Sequence, residues 1–142
     1  MHQSCAIVGT AAAAVLAWTM ASAAAQEPAQ PPRTVKEVMT TMTVPASEAI
    51  FRAASESPRN DEQWAALGKA AETLAASGRL LMTPALARDT AAWTAFSRTL
   101  VAQATALSKI TEAKRGDALE QAGNDLYETC ETCHMRYLED AK

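Results

Sequence analysis

Residues 117–137 read DALEQAGNDLYETCETCHMRY. Leu119, Ala122, Leu126, Cys130, Cys133 and Tyr137 recur at intervals of three and four, the period of one face of an α-helix. Asp117 is placed to cap the start of this helix, with Glu120 at the third helical position. Both cysteines therefore continue a buried stripe. His134 stands one turn on from Cys130, on the same side. A flat ligand laid on that side of the helix meets two thiols and an imidazole.

Cys130-Glu131-Thr132-Cys133-His134 has the form C-x-x-C-H, the attachment signature of a c-type haem. Two thiols add to the two vinyl groups of one porphyrin, and the following imidazole binds the iron. A thioredoxin-like redox pair would need a βαβ setting, and no stretch of this chain has strand character. A structural zinc site would need four ligands. The remaining Cys5 and His2 lie in a segment expected to be removed. One covalent haem c is the expected cofactor, with Cys130 and Cys133 as its anchors and His134 as the proximal iron ligand.

Outward from this helix, the chain reads as helix with short breaks. Glycine is sparse (5 residues) and alanine abundant across the 142 residues, which favours helices. Thr34 to Glu37 has capping-box form and opens a first helix, which Pro45 should kink or interrupt before it continues through Ile50 and Phe51. Ser57-Pro58-Arg59 ends it. Asn60 caps a second helix, with Gln63 third and a stripe of Trp64, Leu67, Ala71, Leu74 and Leu81. Gly78 and the Thr83-Pro84 step mark its end or a bend. A third helix starts near Ala85 or Asp89 and carries Trp93, Phe96, Leu100, Ala104 and Leu107, with Lys114-Arg115-Gly116 as the next break. Four helices with short connections predict an all-α, antiparallel four-helix bundle with covalently bound haem near the C-terminus.

The first 25 residues hold no Lys, Arg, Asp or Glu. An apolar run over residues 6–21 and small residues before Gln26 read as a secretory signal peptide cut after Ala25. Its start lacks the usual Lys or Arg, which keeps an uncleaved anchor as the competing reading. Residues 26–33 are a proline-rich, flexible leader, and residues 34–142 form the bundle. Export places the protein in the periplasm, with no stable membrane insertion after cleavage. A net charge of -3 without a basic run excludes nucleic acid as a natural partner. No Ser, His and acid groups cluster as a nucleophile would require, so no enzyme activity is expected.

The second axial position of the iron decides function. No further histidine remains in the mature chain, which leaves methionine. Met39 and Met42 share a face of the first helix. One of them could ligate, or both could be core fillers. Met39 is the candidate for the distal position and Met42 the runner-up. Met82 could be simple core, and Met135 follows His134 too closely to reach the opposite side.

With its motif on the last of four helices, the chain resembles the class II c-type cytochromes, the cytochrome c-prime group. Tyr137, three after His134, matches an aromatic position of that family. Val38-Met39-x-x-Met42-x-x-Pro45, Trp64 and Trp93 resemble a periplasmic subgroup. Leu138 departs from it, since a basic residue often stands there, and Arg136 sits nearer the histidine. The resemblance implies a periplasmic monohaem electron carrier with Met39 as sixth ligand, serving periplasmic redox proteins. Family members often pair through their first two helices, which implies a homodimer as one state. High-spin members leave the sixth position open, which implies the alternative, a five-coordinate haem that binds nitric oxide or another diatomic gas.

Overall fold

The computed structural model describes residues 31–88 and 91–138. The expected signal peptide, most of the leader, Asp89 and residues 139–142 lie outside the described residues. Every regular element among the described residues is helical. The elements are α1 (Val35–Val38), a π-helical turn (Met39–Thr43), α2 (Val44–Ser55), α3 (Asp61–Leu81), α4 (Ala92–Glu112) and α5 (Leu119–Tyr137). A short 3₁₀ turn, Gly116–Ala118, precedes α5. No helix among the described residues is long and apolar enough to cross a membrane.

α1, the π turn and α2 run on without a break, and Thr34 caps them. Its hydroxyl accepts from the Glu37 N–H (3.1 Å), while the Glu37 carboxylate accepts from the Thr34 N–H (3.2 Å). Pro45 lacks an N–H, and in a strict α-helix its ring meets the carbonyl four residues back. The expected interruption takes the form of the π turn just before it. The Val44 N–H there bonds to the Met39 carbonyl, five residues back.

Asn60 caps α3 as its sequence requires, accepting from the Gln63 N–H at 2.9 Å. Asp61 and Glu62 add negative charge at the positive end of the helix. α4 ends in a Schellman turn: the Arg115 N–H reaches the Ile110 carbonyl (3.0 Å) and the Lys114 N–H the Thr111 carbonyl (3.1 Å). The left-handed residue is Lys114 (φ 50°), not Gly116. Lys114 Nζ also meets Asp61 at 2.8 Å, tying the end of α4 to the start of α3.

Three expected boundaries move. α4 starts at Ala92, later than Ala85, because Thr83 to Ala87 coil into a turn that tucks Leu86 into the core. Asp117 does not cap α5. The Ala118 N–H already bonds to the Arg115 carbonyl (3.2 Å), so Asp117 sits inside the 3₁₀ turn rather than on the extended backbone a cap needs. Gly78 does not end α3, which runs on to Leu81 and stops just before the Thr83-Pro84 step. It is buried inside the helix, and a Cβ built there would stand 2.8 Å from Val101 Cγ2 and 3.2 Å from the Ser97 carbonyl oxygen.

The predicted stripes form the core. Leu67, Ala71, Leu74 and Leu81 of α3 pack with Trp93, Leu100, Ala104 and Leu107 of α4, the most extensive helix pair. α2 packs against α3 and α5, and α4 packs against α5, which is compatible with a helical bundle. Ile50, Leu119 and Leu126 close the core on that side. Buried hydroxyls stay satisfied by bonding back to their own helices. Ser77 donates to the Leu74 carbonyl (2.8 Å) and Ser97 to the Trp93 carbonyl (2.9 Å).

Candidate functional site

Toward its C-terminal half, α5 stops packing against protein. Leu126 is its last fully buried residue, and Cys130, Cys133, His134 and Tyr137 are half-buried. The stripe continues but faces a cavity of about 390 Å³. Cys130, Cys133 and His134 line one wall, and the π turn and α2 supply Met39, Thr43, Ser47 and Phe51. α4 adds Trp93, Phe96, Ser97 and Leu100, with Leu81 at the end of α3.

The cavity lies in the range of small-molecule sites, and its walls are mostly aromatic and aliphatic. Trp93 anchors the wall. Its indole Nε1–H donates to the Leu81 carbonyl at 2.5 Å, satisfying an acceptor in the last turn of α3. Tyr137 packs edge-on behind it, with ring centroids 4.9 Å apart at 79°, and against Phe96 at 6.3 Å and 89°. This aromatic cluster fixes the α5 end that carries the motif against α4. The mouth is largely apolar, with the exposed Glu131 as its charged residue. Val44, Tyr127 and Met135 line the cavity yet are 43, 57 and 56 % exposed.

Both motif thiols are free. Burial pushes the Cys130 thiol above its ordinary value, and the neighbouring Cys133 pushes it further. Burial alone raises Cys133. Both are therefore held as neutral thiols at neutral pH. No group of three or more His, Cys, Asp or Glu side chains converges on a metal position among the described residues. Cys130, Cys133 and His134 line a wall side by side instead of closing on one ion. Two thiols and an imidazole along an apolar slot suit a flat ligand that carries its own metal.

The sequence candidates separate here. Cys130, Cys133, His134 and Met39 meet at one cavity. Met42 is half-buried but absent from its lining, as is Met82. Met135 sits at the mouth on the His134 side. The buried residues Thr43, Ser47 and Ser97 also line the cavity, and sequence reasoning had not singled them out. Their signal was present: a Ser or Thr in phase with an apolar stripe is either a packing filler or a cavity-facing group. No family model, curated protein or solved structure matches the chain.

Proposed function

We propose that this protein is a periplasmic monohaem c-type cytochrome of the class II, c-prime type, an antiparallel four-helix bundle that transfers electrons. One observation carries the reading: Cys130, Cys133, His134 and Met39 all line a single apolar cavity. The residues fit the group. Cys130 and Cys133 would hold haem c by thioether bonds, His134 would take the proximal iron position and Met39 the distal one. A haem held there supplies a one-electron ferric/ferrous couple. Trp93, Phe96 and Leu100 exclude water from the slot, and a low-dielectric wall favours the less charged ferrous state. The apolar lip of Val44, Tyr127 and Met135 suits brief contact with a redox partner. A homodimer is compatible with this role.

The second reading, a five-coordinate haem that binds nitric oxide, is favoured by the apolar space beside Met39 and Phe51. The visible spectrum of the oxidised holoprotein separates the two. Methionine ligation gives an iron–sulfur charge-transfer band in the far red, and Met39→Ala removes it and lowers the reduction potential. A high-spin spectrum in the unaltered protein, with rapid uptake of nitric oxide, turns the assignment to the gas binder.

A further inference from the structure

Met39 reaches the cavity only because the helix is irregular. Residues of α2 that face the cavity include Ser47 and Phe51. Two α-helical turns back from Ser47 falls Thr40, not Met39. In an unbroken α-helix Thr40 would face the cavity, Met39 would point about 100° away into the core, and Val38 would turn outward. The structure has the opposite arrangement. Thr40 is exposed, Met39 lines the cavity and Val38 is fully buried. The π turn inserts one extra residue, and the Val44 N–H to Met39 carbonyl bond places Met39 directly beneath Val44.

Core packing does not select this register by itself. Val38 and Met39 are both apolar, and exchanging one for the other in the core changes little buried surface. Pro45 does select it. Without an N–H, and with a ring that collides with the carbonyl of Thr41 in a strict α-helix, it disfavours the regular path and leaves the π path open. Thr43 secures that path from inside, its buried hydroxyl donating to the Val38 carbonyl five residues back at 3.4 Å.

We infer that Pro45 is a positioning residue: it forces the π turn at Met39–Thr43, and that turn brings the Met39 thioether to the cavity in place of Thr40. The inference rests on the proposed ligation by Met39. Three variants of the haem-loaded protein test it by the far-red band and the reduction potential, with far-UV circular dichroism as the check on folding. Met39→Ala tests the ligand alone, and a band that survives it overturns ligation by Met39 and this inference together. Pro45→Ala should let the helix close to α geometry, turn Met39 away, remove the band and lower the potential. A band retained in Pro45→Ala, with Met39→Ala having lost it, overturns the role of Pro45 only. Pro45→Ala combined with deletion of Thr41 removes the extra residue, returns Met39 to the place beneath Val44 in an α-helix, and should restore the band. Failure of that restoration in a double variant whose far-UV circular dichroism matches the unaltered protein overturns the register account. Its success rules out misfolding as the cause of the loss in Pro45→Ala, because a merely misfolded variant gains nothing from a further deletion.

Discussion

In the proposed role the cysteines carry the chemistry, and their environment determines how they behave before any ligand is attached. A neutral, half-buried thiol is a poor nucleophile and a poor substrate for oxidation, because the thiolate is the reactive form. Burial raises Cys130 and Cys133, and proximity raises Cys130 further. In the unhaemed chain this makes stability depend on pH. The unfolded thiols lose their protons near pH ~8.5 and the folded ones later, so above that pH the folded state binds more protons. Stability is then unaffected below the unfolded value and falls as pH rises through the window between the two. The urea midpoint of the unhaemed chain should drop more between about pH 7 and about pH 10 than that of Cys130→Ser/Cys133→Ser, in which the other titrating groups are unchanged. Equal drops would show that the thiols are not desolvated. Among single residues, the common face of Cys130, Cys133 and His134 was legible because their spacing within one helix fixes it. Thr43, Ser47 and Ser97 were not, because lining a cavity and facing a packed core leave the same pattern in sequence.

Stripes and caps were legible wherever local chemistry decided the outcome. Asn60 and Thr34 cap their helices because their side chains reach N–H groups three residues on, whatever the rest of the fold does. Asp117 had the same credentials and lost to the tight exit of α4 through Lys114, a matter of how one element hands on to the next. Gly78 was misread for a related reason. A glycine can end a helix or admit a neighbouring one, and only the α3–α4 crossing distinguishes the two. That crossing makes two glycines of α3 behave differently. Alanine is favoured over glycine in a helix by about 1 kcal/mol. At Gly68 the new Cβ meets only the Thr111 side chain, its hydroxyl at 3.3 Å and its Cβ at 4.0 Å, so Gly68→Ala should be neutral or stabilising by up to about 1 kcal/mol. At Gly78 it meets the branched Val101 side chain at 2.8 Å and the Ser97 backbone at 3.2 Å, neither of which yields without moving α4. Gly78→Ala should therefore destabilise by about 1–3 kcal/mol despite its better propensity. Thermal or urea unfolding of the two haem-loaded variants beside the unaltered protein measures both, and the same sign for both would remove the close-approach argument.

At the scale of the molecule, the packing divides into a part that closes on itself and a part that closes on the cavity. α3 and α4 share the most extensive contact, which runs from Trp64, Leu67, Leu107 and Thr111, outside the cavity lining, to Leu81 and Trp93 at the cavity wall. α5 beyond Leu126 buries no side chain fully, and the α1–π segment holds only Val38 and Thr43. A small domain has little surplus stability, since native domains are stable by only about 5–15 kcal/mol in total. Local opening free energy tracks local burial, so the two parts should differ in stability until a ligand fills the cavity. Amide hydrogen exchange followed by mass spectrometry should therefore find α3 and α4 protected in both the holoprotein and Cys130→Ser/Cys133→Ser. Residues 127–138 should exchange in the variant at least ten-fold faster than in the holoprotein, a difference of about 1.4 kcal/mol in opening free energy. Met39–Thr43 should follow residues 127–138 rather than α2, because the same cavity is the surface both segments face. Uniform loss of protection along the chain would mean that the cavity supports the whole core, and unchanged protection would mean that it supports none of it. The selective pattern is the one expected if haem attachment completes a fold whose α3–α4 half already stands.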